Sequence, residues 1–326
     1  MTDLTTGPTA VRVPRNLHHF SYDQALTPVV EVGDGATLVF ETLDCFSNQV
    51  VSTDQRFPAE SDLLDLIGAF NPVAGPVAIR GARPGDALAV TVRDIRLGTV
   101  APYAVTLIHR DDELDAPLGD TRVCPIDGDT VSFPTSLGPL VLPTRPMVGS
   151  LGLAPSGEAF PSLLSHPRCG GNMDCQALRT GSVLVVPVEV PGGLLSLGDV
   201  HALMGDAEIT GTALETNADV TVTVDLLPGA GTAMGTPHLD GPRHIGTVGC
   251  AHGTDVTANL RAAMRELHRR LTAEYGYRPA EAHHLLGAVA EVTVNQCVHG
   301  GWSSVHVAVP RYSLPTSPPE PSSRDE

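Results

Sequence analysis

Short segments in which apolar and polar residues alternate recur along most of the chain, separated by turns rich in Gly, Asp and Pro. The clearest are VVEVGDGATLVFET, GPVAIRGARPGDALAVTVRDIRL, SVLVVPVEV, AEITGTALE, DVTVTVDLL and SSVHVAVP. A period of two is the side-chain spacing of a half-buried β-strand. Residues 33–35 (Gly-Asp-Gly) and 84–86 (Pro-Gly-Asp) lie between such runs and are predicted to form hairpin turns.

Helical periodicity is confined to a few segments. The longest predicted helix runs from Asp255 to Tyr275, and its apolar stripe comprises Leu260, Met264, Leu267 and Leu271. A second helix is predicted from Pro279 to Ala288, and a short one over 62–70 with Ser61 as its cap. These patterns predict a mainly β protein, with antiparallel β-sandwich or barrel-like sheets and a helical pair near the C-terminus.

The two ends of the chain differ in composition from the rest. Residues 1–12 and 313–326 are rich in Pro, Ser, Thr or acidic residues and are predicted to be disordered tails. No low-complexity linker interrupts residues 13–312, which we expect to form a single domain, or two intertwined halves.

The basic residues narrow the possible chemistry, because all 20 of them are arginine. Without lysine the chain cannot form a Schiff base or contain a Walker-type P-loop. Two large groups of amide hydrolases, built on a Ser-Ser-Lys relay and on Glu-Lys-Cys, are excluded for the same reason.

The net charge of −17 makes nucleic acids and anionic membranes poor partners, whereas a small neutral ligand is compatible with it. We find no apolar run of membrane-spanning length and no apolar leader in MTDLTTGPTAVRVPRN, so we expect a cytoplasmic protein that does not bind membranes. The six cysteines show no CxxC pair, which favours reduced, mostly buried thiols.

Polar residues concentrate between residues 166 and 215, within one predicted β region. They are Asn172, Asp174, Asp199, His201, Asp206, Glu208 and Glu215. Carboxylates and imidazole around glycine turns are typical of a metal site with oxygen and nitrogen ligands. Taken singly, Asp174 and Asp199 are equally compatible with hydrogen bonds to turn backbones, and His201 with a structural role.

The spacing of Glu208 and Glu215 limits how they can share a site. They are seven positions apart, so in an unbroken strand their side chains project from opposite faces. Both can face one site only if Gly211 forms a bulge.

Several sequence motifs, in the same order along the chain, resemble those of the acetamidase/formamidase family. They are Asn71–Pro76, Gly81–Asp86, Arg145–Gly149, Gly170–Asp174, Val185–Val188, Gly198–His201, Gly205–Glu208 and Gly211–Glu215. The resemblance extends from about residue 30 to residue 312 and identifies 13–312 as the catalytic domain. The sequence differs from the family pattern at Ala207, where Gly is common, and at Cys169, where a larger or more polar residue is expected.

The resemblance implies hydrolysis of a small neutral amide of the formamide or acetamide class to a carboxylate and ammonia. It also implies a β-rich fold and a homo-oligomer, a dimer or larger. Three routes to this reaction remain without lysine. A Ser/His/Asp triad has no Gly-x-Ser-x-Gly elbow here, and a cysteine nucleophile would involve Cys169 or Cys175.

The third route is a water activated by a divalent metal ion, with zinc the first candidate. On this hypothesis Asp174, His201 and Glu215 bind the metal, and Glu208 or Asp206 moves the proton. The remaining candidates are Asn172, as donor to the developing oxyanion, and Asp44 and Asn71, as substrate contacts.

Two other classes of function remain open. A non-catalytic β-sandwich module could bind calcium with the same carboxylates, although a histidine ligand disfavours calcium. A metal-dependent hydrolase of phosphoesters is disfavoured by the negative charge and by the scarcity of clustered arginine near the motifs.

Overall fold

The computed structural model describes residues 10–108, 117–298 and 302–315. Three α-helices lie in these ranges: α1 (Glu60–Ile67), α2 (Val256–Ala273) and α3 (Pro279–Val289). The strands are β1 (Val11–Val13), β2 (His18–His19), β3 (Ser21–Tyr22), β4 (Val30–Val32), β5 (Ala36–Glu41), β6 (Val73–Ile79), β7 (Ala87–Leu97), β8 (Tyr103–Leu107), β9 (Thr121–Asp127), β10 (Thr130–Phe133), β11 (Leu140–Pro143), β12 (Met147–Gly152), β13 (Phe160–Pro161), β14 (Ser165–His166), β15 (Gly170–Asn172), β16 (Val183–Pro187), β17 (Leu195–Leu203), β18 (Leu214–Thr216), β19 (Ala218–Leu227), β20 (His238–Asp240), β21 (His244–Gly249), β22 (Glu291–Val298) and β23 (Trp302–Pro310).

Most of these strands form two large sheets, and β3 and β13 pair as a separate two-stranded sheet. One has the order β1-β5-β19-β7-β16-β20-β21-β23-β22. The other has the order β11-β10-β9-β8-β18-β17-β12-β15-β14, and β6 joins it by pairing with β17, β2 and β4. Among the described strands, pairing is antiparallel except between β1 and β5 and between β4 and β6. The prediction of a mainly β, antiparallel fold is confirmed.

One hydrophobic core connects the two sheets. Residues from both sheets contribute to it, among them Leu38, Val90 and Val222 from the first and Val148, Leu197 and Val200 from the second. Each of these side chains is fully buried, and burial of a valine or leucine contributes about 1.5–3 kcal/mol to stability. Through this core, β12 and β17 of the second sheet pack against the first sheet.

The predicted helical pair near the C-terminus is also confirmed. The side chain of Asp255 caps α2 by accepting a hydrogen bond from the backbone of Ala258 at 2.7 Å. Leu267 and Leu271 are fully buried against β21 and β23, as the apolar stripe predicts, but Met264 is 37% exposed. Ala263 is fully buried in this cluster instead.

Other local predictions need correction. Helix α1 begins at Glu60 with Ala59 as its N-cap, so Ser61 lies inside the helix and does not cap it. Residues 33–35 and 84–86 do not form hairpins, because the strands before and after each turn belong to different sheets. These turns carry the chain from one sheet to the other.

The predicted tails lie largely outside the described residues, which exclude 1–9 and 316–326. Strand β1 begins at Val11, inside the range 1–12, because it pairs with β5. None of the helices in the described ranges is long and apolar enough to cross a membrane.

Candidate metal centre

His201 lies at the middle of a buried group of carboxylates. It sits near the end of β17, where the antiparallel register places it directly opposite Glu215 of β18. Its Nε2 atom lies 3.2 Å from Glu215 Oε2, 3.5 Å from Asp199 Oδ2 and 3.8 Å from Asp174 Oδ1. One imidazole nitrogen is thus surrounded by three carboxylate oxygens from different positions in the second sheet.

Several polar atoms of this group have no hydrogen-bond partner among the described residues. They are Asp174 Oδ1, Glu215 Oε2 and both ring nitrogens of His201. The short separations around Nε2 therefore do not have hydrogen-bond geometry. Leaving a buried polar atom unpaired costs about 1–3 kcal/mol, so a cluster of them indicates a group that binds a ligand.

The orientation of Asp174 is fixed through its other oxygen. Oδ2 accepts hydrogen bonds from Asn172 Nδ2 at 2.9 Å and from Gln296 Nε2 at 2.7 Å. The Asn172 side chain is held in turn by Asn71, whose Nδ2 donates to Asn172 Oδ1 at 3.2 Å. These bonds occupy Oδ2 and leave Oδ1 directed at His201.

Glu208 joins the cluster by a route that the strand argument did not foresee. Residues 206–208 form a 3-10 turn after β17, so no strand connects Glu208 to Glu215 and their spacing does not set their faces. The condition of a strand bulge at Gly211 therefore does not apply, although Gly211 does adopt a left-handed φ of 77° in the bend. Ligand atoms of Asp174, His201 and Glu208 all lie within 4.8 Å of one another.

A second group of potential ligands overlaps the first. Cys45, Asp199 and Glu215 also place ligand atoms within 4.8 Å of one another, and all three are buried. Cys45 follows the end of β5 and was not among the sequence candidates. Asp199 was noted in the polar cluster but was not included in the predicted ligand set.

Backbone strain concentrates at these positions. Asn71, Asp174, Asp199 and Glu208 have φ values of 54°, 46°, 56° and 47°, in the left-handed region that non-glycine residues seldom adopt. Such conformations cost of order 1–3 kcal/mol each and cluster at functional sites. At Asp199, inside β17, the strained backbone turns the carboxylate toward His201.

The carboxyl groups of the cluster repel one another. Burial raises the pKa of Asp174 and Glu215, and neighbouring carboxylates raise both further. Burial likewise raises the pKa of Glu208 to about 8, although His201 opposes the shift. Burial alone would lower the pKa of His201, but Glu215 and Asp199 outweigh it and raise that pKa well above the usual value. The cluster therefore favours an added positive charge.

Gly149 provides the space between two of these carboxylates. It lies on β12, and a methyl group on its Cα would collide with Asp199 Oδ2 and lie 2.5 Å from Asp174 Oδ1. The glycine is needed here for room and not for an unusual φ. The Arg145–Gly149 motif thus ends at a residue that shapes the site.

We expect Gly149→Ala to lower cation affinity by at least about tenfold, as typically follows when the support of a metal ligand is lost. The added methyl group would push Asp174 and Asp199 apart. Cation content after dialysis, with thermal unfolding as a check on the fold, measures the effect. Gly157→Ala is the matched control, because a Cβ there meets no atom within 4 Å. Unchanged affinity in Gly149→Ala would contradict this role.

The other predicted residues occupy different positions relative to the cluster. Asp44 is 1% exposed, and its Oδ1 accepts backbone hydrogen bonds from Phe46 at 2.9 Å and Asn48 at 2.6 Å. Burial raises the pKa of Asp44 to about 7, and repulsion from Glu215 raises it too. The two backbone hydrogen bonds lower it but do not cancel the effect of burial. Asp206 is exposed and accepts a hydrogen bond from Gln176 at 2.5 Å, so the structure does not bring it into the cluster.

The cysteines that flank the Gly-Gly-Asn-Met-Asp motif lie in an apolar environment. Cys169 and Cys175 are buried, and burial raises the pKa of both thiols, that of Cys175 to about 12. A nucleophilic cysteine needs the opposite shift toward the thiolate. This environment disfavours the cysteine route.

Gln296 is a further site residue that the sequence analysis missed. It lies on β22, where the register shifts between Val294 and Gln296. The adjacent polar pair Asn295 and Gln296 interrupts the alternation of VTVNQC, and this interruption was the available signal. Gln296 also donates from Nε2 to the backbone oxygen of Asn172 at 2.8 Å.

The fold and the centre together define the class of protein: a mainly β protein that buries ionisable groups in an arrangement typical of a metal site. The sequence profile of the Acetamidase/Formamidase family matches residues 10–165 and 163–312. The chain belongs to that family, which confirms the resemblance seen in its motifs.

Solved structures of similar proteins cover nearly the whole chain. The crystal structure of an acetamidase from Bacillus halodurans is 30% identical, covers 93% of this chain and 98% of its own, and has a TM-score of 0.82. That of an acetamidase from Yersinia enterocolitica is 27% identical, covers 94% of each chain and has a TM-score of 0.84. A Schizosaccharomyces pombe protein assigned as a formamidase is 26% identical over 269 residues, which span 65% of this chain and 65% of that protein.

Proposed function

We propose that this protein hydrolyses small primary amides to the carboxylate and ammonia with the aid of a divalent cation bound at the His201 cluster. The observation that carries the proposal is the set of unpartnered, buried atoms around His201 Nε2. Membership of the family and similarity to proteins named acetamidase and formamidase support the choice of reaction.

The donor atoms fit a cation in both spacing and chemistry. Zinc bonds of about 2.0–2.1 Å in a tetrahedron separate ligand atoms by about 3.4 Å. The distances from His201 Nε2 to the three carboxylates are 3.2, 3.5 and 3.8 Å. We assign Asp174, His201 and Glu215 as ligands and add Asp199, whose carboxylate lies in the same shell. The mixed oxygen and nitrogen set favours zinc or manganese over calcium.

A divalent cation in this position polarises a carbonyl group and makes water a stronger nucleophile at neutral pH. The chain's own residues do the rest. Glu208 takes a proton from the attacking water and returns it to the leaving nitrogen, which must be protonated to depart as ammonia. Glu208 is placed for this role, because its carboxylate lies within 4.8 Å of ligand atoms of Asp174 and His201.

The amides of the site position these groups. Asn172 Nδ2 carries two hydrogens, and one is bonded to Asp174. We assign the second to the oxyanion that develops on the substrate carbonyl, a contact whose loss typically costs about 10²–10³ in rate. Asn71 acts as a positioning residue through its bond to Asn172. Backbone donors occupy Oδ1 of Asp44. We assign its second oxygen, Oδ2, as the acceptor of the substrate N–H.

Ammonia release from acetamide and formamide tests the proposal. We expect hydrolysis by the purified chain, loss of the rate after chelation, and recovery on adding back a divalent cation, with the bound cation measured by elemental analysis. Full activity in cation-free protein would contradict the metal assignment. Stoichiometric cation without hydrolysis of any amide would contradict the reaction and favour a non-catalytic metal-binding module.

A further inference from the structure

A large apolar cavity adjoins the Glu208 side of the cluster. It has a volume of about 660 Å³ and lies between the segment after β17 and strands β8, β10 and β11. Its apolar walls include Leu107, Phe133, Leu142, Leu203, Ile209 and Leu214. Sites for small molecules typically measure about 300–1,000 Å³ and are lined in this way.

The cavity reaches the proposed proton-transfer group. Glu208 is one of its lining residues. It is also the most exposed of the clustered ionisable groups, at 8%, compared with 0% for His201 and 2% for Glu215. The cavity therefore meets the cluster at the group that must face the substrate.

Several polar groups on the cavity wall are already paired with other protein groups. The Thr212 hydroxyl donates to the backbone oxygen of Leu107 at 2.8 Å and lies 3.1 Å from the Thr106 hydroxyl. Thr210 donates to the backbone oxygen of Thr212 at 2.6 Å. On the rim, Arg122 forms an ion pair with Asp120 at 2.6 Å. These pairings leave methyl and methylene groups as the free surface toward the cavity.

We infer that the preferred substrates are primary amides whose acyl group is a longer alkyl chain or an aryl ring, held in this cavity with the amide at Glu208. The inference rests on the proposed amide hydrolysis. Acetamide is only a few times the size of a water molecule, which occupies about 30 Å³ in the liquid, so it would leave most of the cavity unfilled. A longer acyl chain would displace water from apolar surface.

A series of straight-chain amides from formamide to hexanamide, with benzamide added, provides the test. We expect kcat/KM to rise by roughly fourfold for each methylene group that the cavity buries. This rise in kcat/KM should appear while the cation content of the protein stays constant.

A matched pair of substitutions on β11 tests the location. Leu142 lines the cavity, whereas the neighbouring Val141 is 70% exposed and does not line it. Leu142→Trp should remove the preference for long acyl chains, so that kcat/KM for hexanamide falls toward the value for acetamide. Val141→Trp should leave the whole series unchanged. If Leu142→Trp fails to fold, Ser136→Trp, on the exposed turn at the cavity rim, replaces it.

Each other outcome has a definite meaning. A flat or falling series in a protein that hydrolyses acetamide would overturn the substrate inference but leave the proposed function intact. No hydrolysis of any amide would overturn both. A change in oligomeric state with Leu142→Trp, without a change in the length profile, would show that a second copy of the chain covers the cavity and would also overturn the inference.

Discussion

Replacing His201 with alanine is expected to abolish both stoichiometric cation binding and amide hydrolysis. His201 is the one imidazole within the described carboxylate cluster, and its Nε2 lies within 3.8 Å of three acidic side chains. Without it, Asp174, Asp199 and Glu215 must bind a cation with oxygen ligands alone. We expect affinity for zinc to fall by more than the 10-fold to 100-fold that typically follows loss of a supporting residue.

His306→Ala is the matched control. His306 is also a buried histidine on a strand, but it belongs to neither group of potential ligands. Burial lowers its pKa to about 4, so its imidazole is neutral. The control should keep the cation and the activity. Stoichiometric metal and full rate in His201→Ala would refute the ligand assignment.

Glu208→Gln is expected to lower kcat by about 10²–10⁴ while the cation remains bound, because glutamine cannot carry the transferred proton. The substitution preserves the shape of the side chain and removes one buried carboxyl from a crowded group. Single-turnover rates with acetamide, together with elemental analysis of the same sample, measure the two effects separately.

Asp206→Asn is the control for Glu208→Gln, because both carboxylates belong to the same 3-10 turn. Asp206 is exposed and bonded to Gln176, so its substitution should leave kcat unchanged. Equal losses in the two variants would contradict the choice of Glu208. Loss of the cation in Glu208→Gln would make Glu208 a ligand and leave the base unassigned.

Much of the fold follows from local patterns. Period-two alternation predicted most of the long strands, but AEITGTALE is a strand only from Leu214. The apolar stripe with Asp255 at its start predicted α2 to within a few residues. Connections between strands were harder to predict, because a Gly-Asp-Gly turn has the same local chemistry whether its flanking strands pair or separate. Residues 33–35 separate them, since β4 pairs with β6 while β5 pairs with β19.

The polar cluster between residues 166 and 215 contained most of the centre, and its members Asp174, His201, Glu208 and Glu215 do come together. The argument from side-chain alternation was wrong for Glu208, because that argument assumes a regular strand. At Ala207 and Glu208 the backbone adopts left-handed φ values instead. Such strain is imposed by tertiary packing and leaves no periodic signal. Cys45 and Gln296 were missed because each lies on a segment far along the chain from residues 166–215.

The bond from Gln296 to Asp174 also has a consequence for biosynthesis. The carboxylates at 174–215 are synthesised before Gln296, and at about 5–20 residues per second the interval is roughly 4–16 s. During that time Asp174 lacks one of its two orienting donors. Contacts between such distant segments also slow folding. The hydrogen bonds that orient Asp174 are therefore complete only after β22 has been translated, and a chain terminated before β22 lacks the bond from Gln296.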